Sequence, residues 1–273
     1  MVEALSYEFV RNAVAAGVLA SLLCGVIGTF VVVKRLAFAS GGISHAAFGG
    51  LGLAHLLGLP PLAGAMGASI ACALALGLAG SERFRSHDAL IGVLWSAGMA
   101  LGIVFIRLTP GYAPDLMSYL FGDILTVSSR DLAVAFALNV CVLGIVALLF
   151  KELVAVAFDE SFAAVQGLPV RALFTGLLVL TALSIVVLIQ VVGIILVMAL
   201  LTIPPLLALR IAKSFVGLLA WSVTASLAMT LCGLALSYRY NLPSGPAIIL
   251  LGAAVLTGVS GFAALDQRRR RSP

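Results

Sequence analysis

The sequence predicts an all-α, polytopic integral membrane protein, on three observations. Of its 273 residues 62% are hydrophobic and 10% charged, against roughly 45–50% and about 25% in a soluble globular domain. Apolar runs close to the ~20 residues that cross ~30 Å of hydrocarbon recur along the whole chain. All eleven acids (Glu3, Glu8, Glu82, Asp88, Asp115, Asp123, Asp131, Glu152, Asp159, Glu160 and Asp266) fall at the ends of those runs or between them.

The runs lie at about 9–33, 42–59, 60–80, 89–108, 132–150, 172–190, 191–209, 214–237 and 246–265, giving eight or nine crossings in a single membrane domain over 1–273. The first follows MVEALSYEF, an acidic start unlike a signal peptide, and is long enough to remain in the bilayer. The second and third meet at Pro60-Pro61, and the sixth and seventh are punctuated only by Gln190 and Gly193. One of those pairs is therefore a candidate broken or re-entrant helix. Pro204-Pro205 interrupts the seventh run, as a flexing point or a static kink. Pro243, Gly245 and Pro246 read as the turn before the last run.

Charge sets the orientation. With nine crossings, Lys34, Arg35, Arg83, Arg85, Lys151, Arg171, Arg210, Lys213 and Arg268 to Arg271 share one side, twelve of the sixteen bases, and Arg11, Arg107, Arg130 and Arg239 the other. The positive-inside rule places the twelve, and the C-terminus, in the cytoplasm. The net charge of +5 is thus written in short loops, and no nucleic-acid partner is expected. Cys24, Cys72, Cys141 and Cys232 lie in separate apolar runs without CxxC spacing and read as packing residues.

Function is expected where polar groups enter the apolar runs and where the loops are structured. No acid is central to a run, which disfavours a proton-coupled secondary carrier or a self-contained channel. His45, in GISHAAFGG, is open to two readings: a ligand on a cation path, since neutral imidazole suits borderline transition metals, or a packing histidine hydrogen-bonded between helices that its glycines let approach closely. His55 is about 15 Å further along by helix rise, too far to share an ion with His45, and reads as packing.

Two loops stand out. The loop at about 109–131 follows the fourth run, and 151–171 contains FDESFAAVQGLP, where Phe158, Phe162 and Val165 form an i, i+4, i+7 stripe on a short helix over about 157–168. Asp159 and Glu160 begin that helix and Gly167 ends it. It suits a docking surface or a helix lying on the bilayer, and its acids are a poor match for an anionic leaflet. No GxxxxGK[ST] occurs, so nucleotide hydrolysis would belong to another subunit.

KRLAFASGGISHAAFGG, PDLMSYLFGDILTVSSRDL, FDESFAAVQGLPVRAL, QVVGIILVMALLTIPPLLALR and YNLPSGPAIIL, in that order, resemble the permeases of ABC-type zinc, manganese and iron importers, the ZnuB-like group. The resemblance covers nearly the whole chain. It implies a homodimeric permease in the cell (inner) membrane, moving a divalent metal by alternating access, without a permanent cofactor or enzymatic activity of its own. ATP would be hydrolysed by cytoplasmic ATPase subunits docked on Phe158, Asp159, Glu160, Phe162, Val165 and Gly167. An extracytoplasmic metal-binding protein would deliver cation to an outer gate around Asp115, Tyr119, Phe121, Gly122 and Asp123. His45 matches the histidine of the family's Gly-Asp-x-x-x-His pattern, whose aspartate position holds Gly41 here. The alternative cargo is a chelated metal such as a siderophore or corrinoid, which needs no protein ligands.

Overall fold

A computed structural model describes residues 6–79, 88–110, 122 and 124–271. Eleven α-helices, and no strand, occur among them: α1 (Glu8–Val33), α2 (Ala37–Leu56), α3 (Pro61–Ala79), α4 (Asp88–Leu108), α5 (Ser129–Leu148), α6 (Phe150–Phe158), α7 (Glu160–Val165), α8 (Val170–Val192), α9 (Ile194–Ala208), α10 (Phe215–Tyr240) and α11 (Ser244–Arg271). A 3-10 turn, Ile124–Thr126, precedes α5. The expected all-α, multi-span class is the class observed.

Seven of these helices are long and apolar enough to cross a membrane. The other two apolar runs became α2 and α9. α2 has the length, 20 residues, but its glycines, serines and two histidines dilute its hydropathy. Fourteen of those 20 residues are buried, so α2 is shielded by protein and needs no lipid-facing surface. α9 has only 15 residues, about 22 Å of helix by the 1.5 Å rise, short of a full crossing. Its start is fixed by Gly193, at φ 79° and ψ 162°, a region essentially reserved for glycine. The expected break between the sixth and seventh runs is therefore real. Pro204 and Pro205 both lie within α9 and are buried there.

α1 and α8 form the centre of the bundle: 67% and 72% of their apolar windows are buried, against 17–33% for the other five long helices. Polar pairs tie the centre to its neighbours. Ser21 Oγ meets Thr230 Oγ1 at 3.0 Å, and Thr29 Oγ1 meets Ser222 Oγ at 3.0 Å, joining α1 to α10. Small residues set the closest approaches. A Cβ on Gly25 would strike the Val223 backbone, and one on Gly28 the Leu201 carbonyl, so α10 and α9 lie almost backbone to backbone on α1.

Contacts fix which ends coincide. Lys34, after α1, reaches the Val156 carbonyl (3.0 Å). The Arg171 guanidinium, at the start of α8, donates to the Leu78 carbonyl in α3. Arg210, beyond α9, donates to Ser260 in α11 (2.8 Å). These gather at one end with the bases of the longer list. At the opposite end Asn12 donates to the Val127 carbonyl (3.3 Å), and Ser129 meets Glu8 (3.3 Å). Two boundaries differ from expectation. α11 begins at Ser244, so Gly245 and Pro246 belong to its first turn, where proline's missing N–H costs nothing. The turn itself is made by Asn241 in the left-handed conformation and by Leu242 donating back to the Ser237 carbonyl.

Candidate functional site: the His45 path and the α6–α7 elbow

α2 presents two polar faces. On one, the Ser40 and Ser44 hydroxyls, each also donating to its own helix, lie 3.8 and 3.7 Å from the thioether of Met198 in α9. On the other, His45 faces α4. Its side chain is 8% exposed, and its ring stacks on Trp95 at 4.4 Å between centroids and 24° between planes. Nδ1 of His45 is buried without a hydrogen-bond partner. The packing alternative required a hydrogen bond between helices to satisfy that atom. What holds the imidazole is instead an indole face.

Glycines make this possible. A Cβ on Gly98 of α4 would sit 2.5 Å from the His45 carbonyl oxygen, and one on Gly52 of α2 2.6 Å from that of Gly102, so the two helices touch through their backbones. Trp95 lies one turn before Gly98. Its six-membered ring occupies the space that a Cβ on Gly41 would enter. A carboxylate side chain at Gly41, the position of the family's aspartate, would meet the Trp95 ring. His55 lies in the last turn of α2, partly buried and away from His45. Among the described residues no group of three or more His, Cys, Asp or Glu side chains is arranged to hold a metal.

At the basic end the docking segment is an elbow, not one helix. Asp159, at φ −148° and ψ 103°, ends α6 and caps α7, its carboxylate accepting from the Phe162 N–H at 2.9 Å. Gly167, at φ 80°, ends α7: its N–H donates to the Ala164 carbonyl and that of Leu168 to Ala163, the double closure that a left-handed glycine permits. The continuous stripe expected through Phe158 is therefore divided. Phe158 closes α6 and packs edge-on against Phe215 at 5.6 Å. Phe158 is still 67% exposed, and Phe162 and Val165 are 57% and 87% exposed. Glu160, expected near bases of a partner, turns inward and pairs with Lys34, whose ammonium also lies over the Phe174 ring.

The expected outer gate falls mainly on Asp115, Tyr119, Phe121 and Asp123, which lie outside the described residues. Next to them, Ile124 is 1% exposed, and its Cδ1 would stand 3.6 Å from a Cβ on Gly17, midway along α1. Gly122, at φ 65°, abuts the backbone of Val192 and Gly193 at the α8–α9 break. This segment thus dips into the bundle and lodges where the broken helix turns. Neither Trp95 nor Met198 was distinguishable in the sequence from ordinary apolar filling. The Lys34 and Glu160 pair was also missed, since 126 positions separate them.

The model of the ABC 3 transport family matches residues 6–262. The chain belongs to that family. It is 44% identical over 255 residues to an uncharacterised membrane protein of Synechocystis, covering 93% of this chain and 90% of that protein. It is 34% identical over 255 residues to a "Probable iron transport system membrane protein" of Haemophilus influenzae, covering 93% of each. The solved structure of PsaBC from Streptococcus pneumoniae in complex with Fab is similar with a TM-score of 0.83 at 28% identity, covering 94% of this chain and 92% of that one. The resemblance found in five sequence blocks thus extends over residues 6–262, and the chain is a multi-pass membrane protein of the ABC metal-permease type.

Proposed function

We propose that this chain is the permease subunit of an ATP-driven importer that carries a divalent transition-metal cation past His45 by alternating access. The observation that carries the reading is the α6–α7 elbow, whose α7 is capped at both ends, anchored to the end of α1 through Lys34, and presents Phe162 and Val165 outward on the base-rich side. Exposed aromatic side chains on a rigid support are anchors for a partner surface. The positive-inside rule makes that side, and the C-terminus, cytoplasmic, where an ABC ATPase would dock. ATP hydrolysis then belongs to that subunit, and this chain supplies no catalytic residue. A homodimeric pore and an extracytoplasmic metal-binding protein complete the assembly. His45 supports a metal cargo because its buried Nδ1 has no protein partner and neutral imidazole is a good ligand for such ions. No observation favours the chelated cargo.

Co-purification of the ATPase with this subunit tests the reading. Phe162→Ala is expected to release the ATPase or to lower ATP-driven uptake by about tenfold or more, since a buried aromatic anchor is worth upward of ~2 kcal/mol. Retention of the partner with parental uptake would leave α7 as a helix resting on the bilayer.

A further inference from the structure

The geometry points to Trp95 as a specificity-determining residue of the His45 path, one that excludes a carboxylate from the ion and biases the site toward nitrogen-preferring metals. This inference rests on the metal-path reading of His45. Three observations lead to it. The Trp95 ring stacks on the His45 imidazole at 4.4 Å, fixing its plane. The same ring fills the space beside Gly41, on the His45 face of α2 one turn earlier, so a side chain there would require the ring to move. Nδ1 of His45 is left buried and unpaired.

The consequence follows from ligand chemistry. Carboxylate, carbonyl and water oxygens suit Mn²⁺, whereas imidazole suits Zn²⁺ and Fe²⁺. α2, α3, α8 and α9 contain no Asp or Glu at all, and the acids of α1, α4 and α5 lie in their first turns. Among the described residues α10 carries none either, and the acids of α6, α7 and α11 lie near their ends, so no described helix brings a mid-bundle carboxylate to replace the one that Trp95 excludes. An ion leaving water here trades hydration oxygens for nitrogen, a trade that costs Mn²⁺ more than Zn²⁺. Trp95 acts through steric exclusion and through the orientation of His45; it donates no ligand atom itself.

The test uses the complete transporter, with its ATPase, in proteoliposomes, and measures initial ATP-driven uptake of Zn²⁺ and of Mn²⁺. The parent, His45→Ala, Gly41→Asp and the double variant Gly41→Asp with Trp95→Ala are compared at equal membrane abundance. Because removing a large ring opens the space that the new carboxylate needs, the double variant should raise the Mn:Zn uptake ratio about tenfold over the parent, the scale on which groups around a ligand tune metal affinity. Gly41→Asp alone should lose uptake of both ions without that shift. A parental ratio in the double variant, with His45→Ala abolishing uptake, would overturn the role of Trp95 and leave the metal path standing. The full shift in Gly41→Asp alone would overturn it equally, since the ring would then exclude nothing. Parental uptake of both ions by His45→Ala would instead remove the metal path and this inference with it.

Discussion

At the scale of single residues, a few side chains are held in positions that make sense only together. His45 is kept by a stacking partner rather than a hydrogen bond, so His45→Ala is expected to cut metal uptake by at least about tenfold while the purified subunit still binds its ATPase. Parental uptake would return the residue to packing. Gly193 is a second such position: its φ of 79° and ψ of 162° turn α8 into α9, and Gly193→Ala should destabilise the detergent-purified permease by about 1–3 kcal/mol, read as a lowered Tm. His45 stood out in the sequence as an imidazole among glycines and aliphatic residues, but those residues alone left ligand and packing both open. Trp95 did not stand out, because a tryptophan in an apolar helix is ordinary, and only the crossing of α2 and α4 over Gly98 shows what its ring covers.

At the scale of elements, the elbow of α6 and α7 shows how one capping residue outweighs a periodic pattern. Phe158, Phe162 and Val165 follow helical spacing, yet Asp159 leaves the helical region to accept from the Phe162 N–H, and the stripe splits at that point. Aspartate before a short amphipathic run is a helix-start signal, so the division was readable in principle. The inward turn of Glu160 was not, since its partner Lys34 is set by how α1 and α6 pack. Lys34→Met should loosen α7: the pair is largely enclosed, and a hydrogen bond to a charged group contributes about 1.5–3 kcal/mol. Hydrogen exchange over 159–168 is expected to accelerate, with weaker ATPase co-purification. Unchanged protection there would show that capping alone holds the elbow. Asp159→Ala should have a similar but smaller effect, about 1 kcal/mol.

At the scale of the whole molecule, the bundle is arranged so that its least lipid-compatible helix, α2, is enclosed among helices that face lipid. Hydropathy located every apolar run, because length and composition are local properties, but it did not tell a lipid-facing span from a shielded one. The same limit applied to α9, whose 15 residues fall short of a crossing and whose packing on α1 is set by Gly28. The re-entry of Ile124 beside Gly17 was hidden as well, since a short apolar stretch in a loop has no period of its own. Together these features place His45 within the bundle and the elbow outside it, at the base-rich end. In the proposed mechanism, ATP hydrolysed by an ATPase docked on the elbow moves metal past His45. The most direct measurement is metal retained by proteoliposomes holding the complete transporter, read by elemental analysis with ATP and without. ATP-dependent accumulation of Zn²⁺, Fe²⁺ or Mn²⁺ that is lost in both His45→Ala and Phe162→Ala is the predicted result, and accumulation that proceeds without ATP, or survives both substitutions, would contradict it.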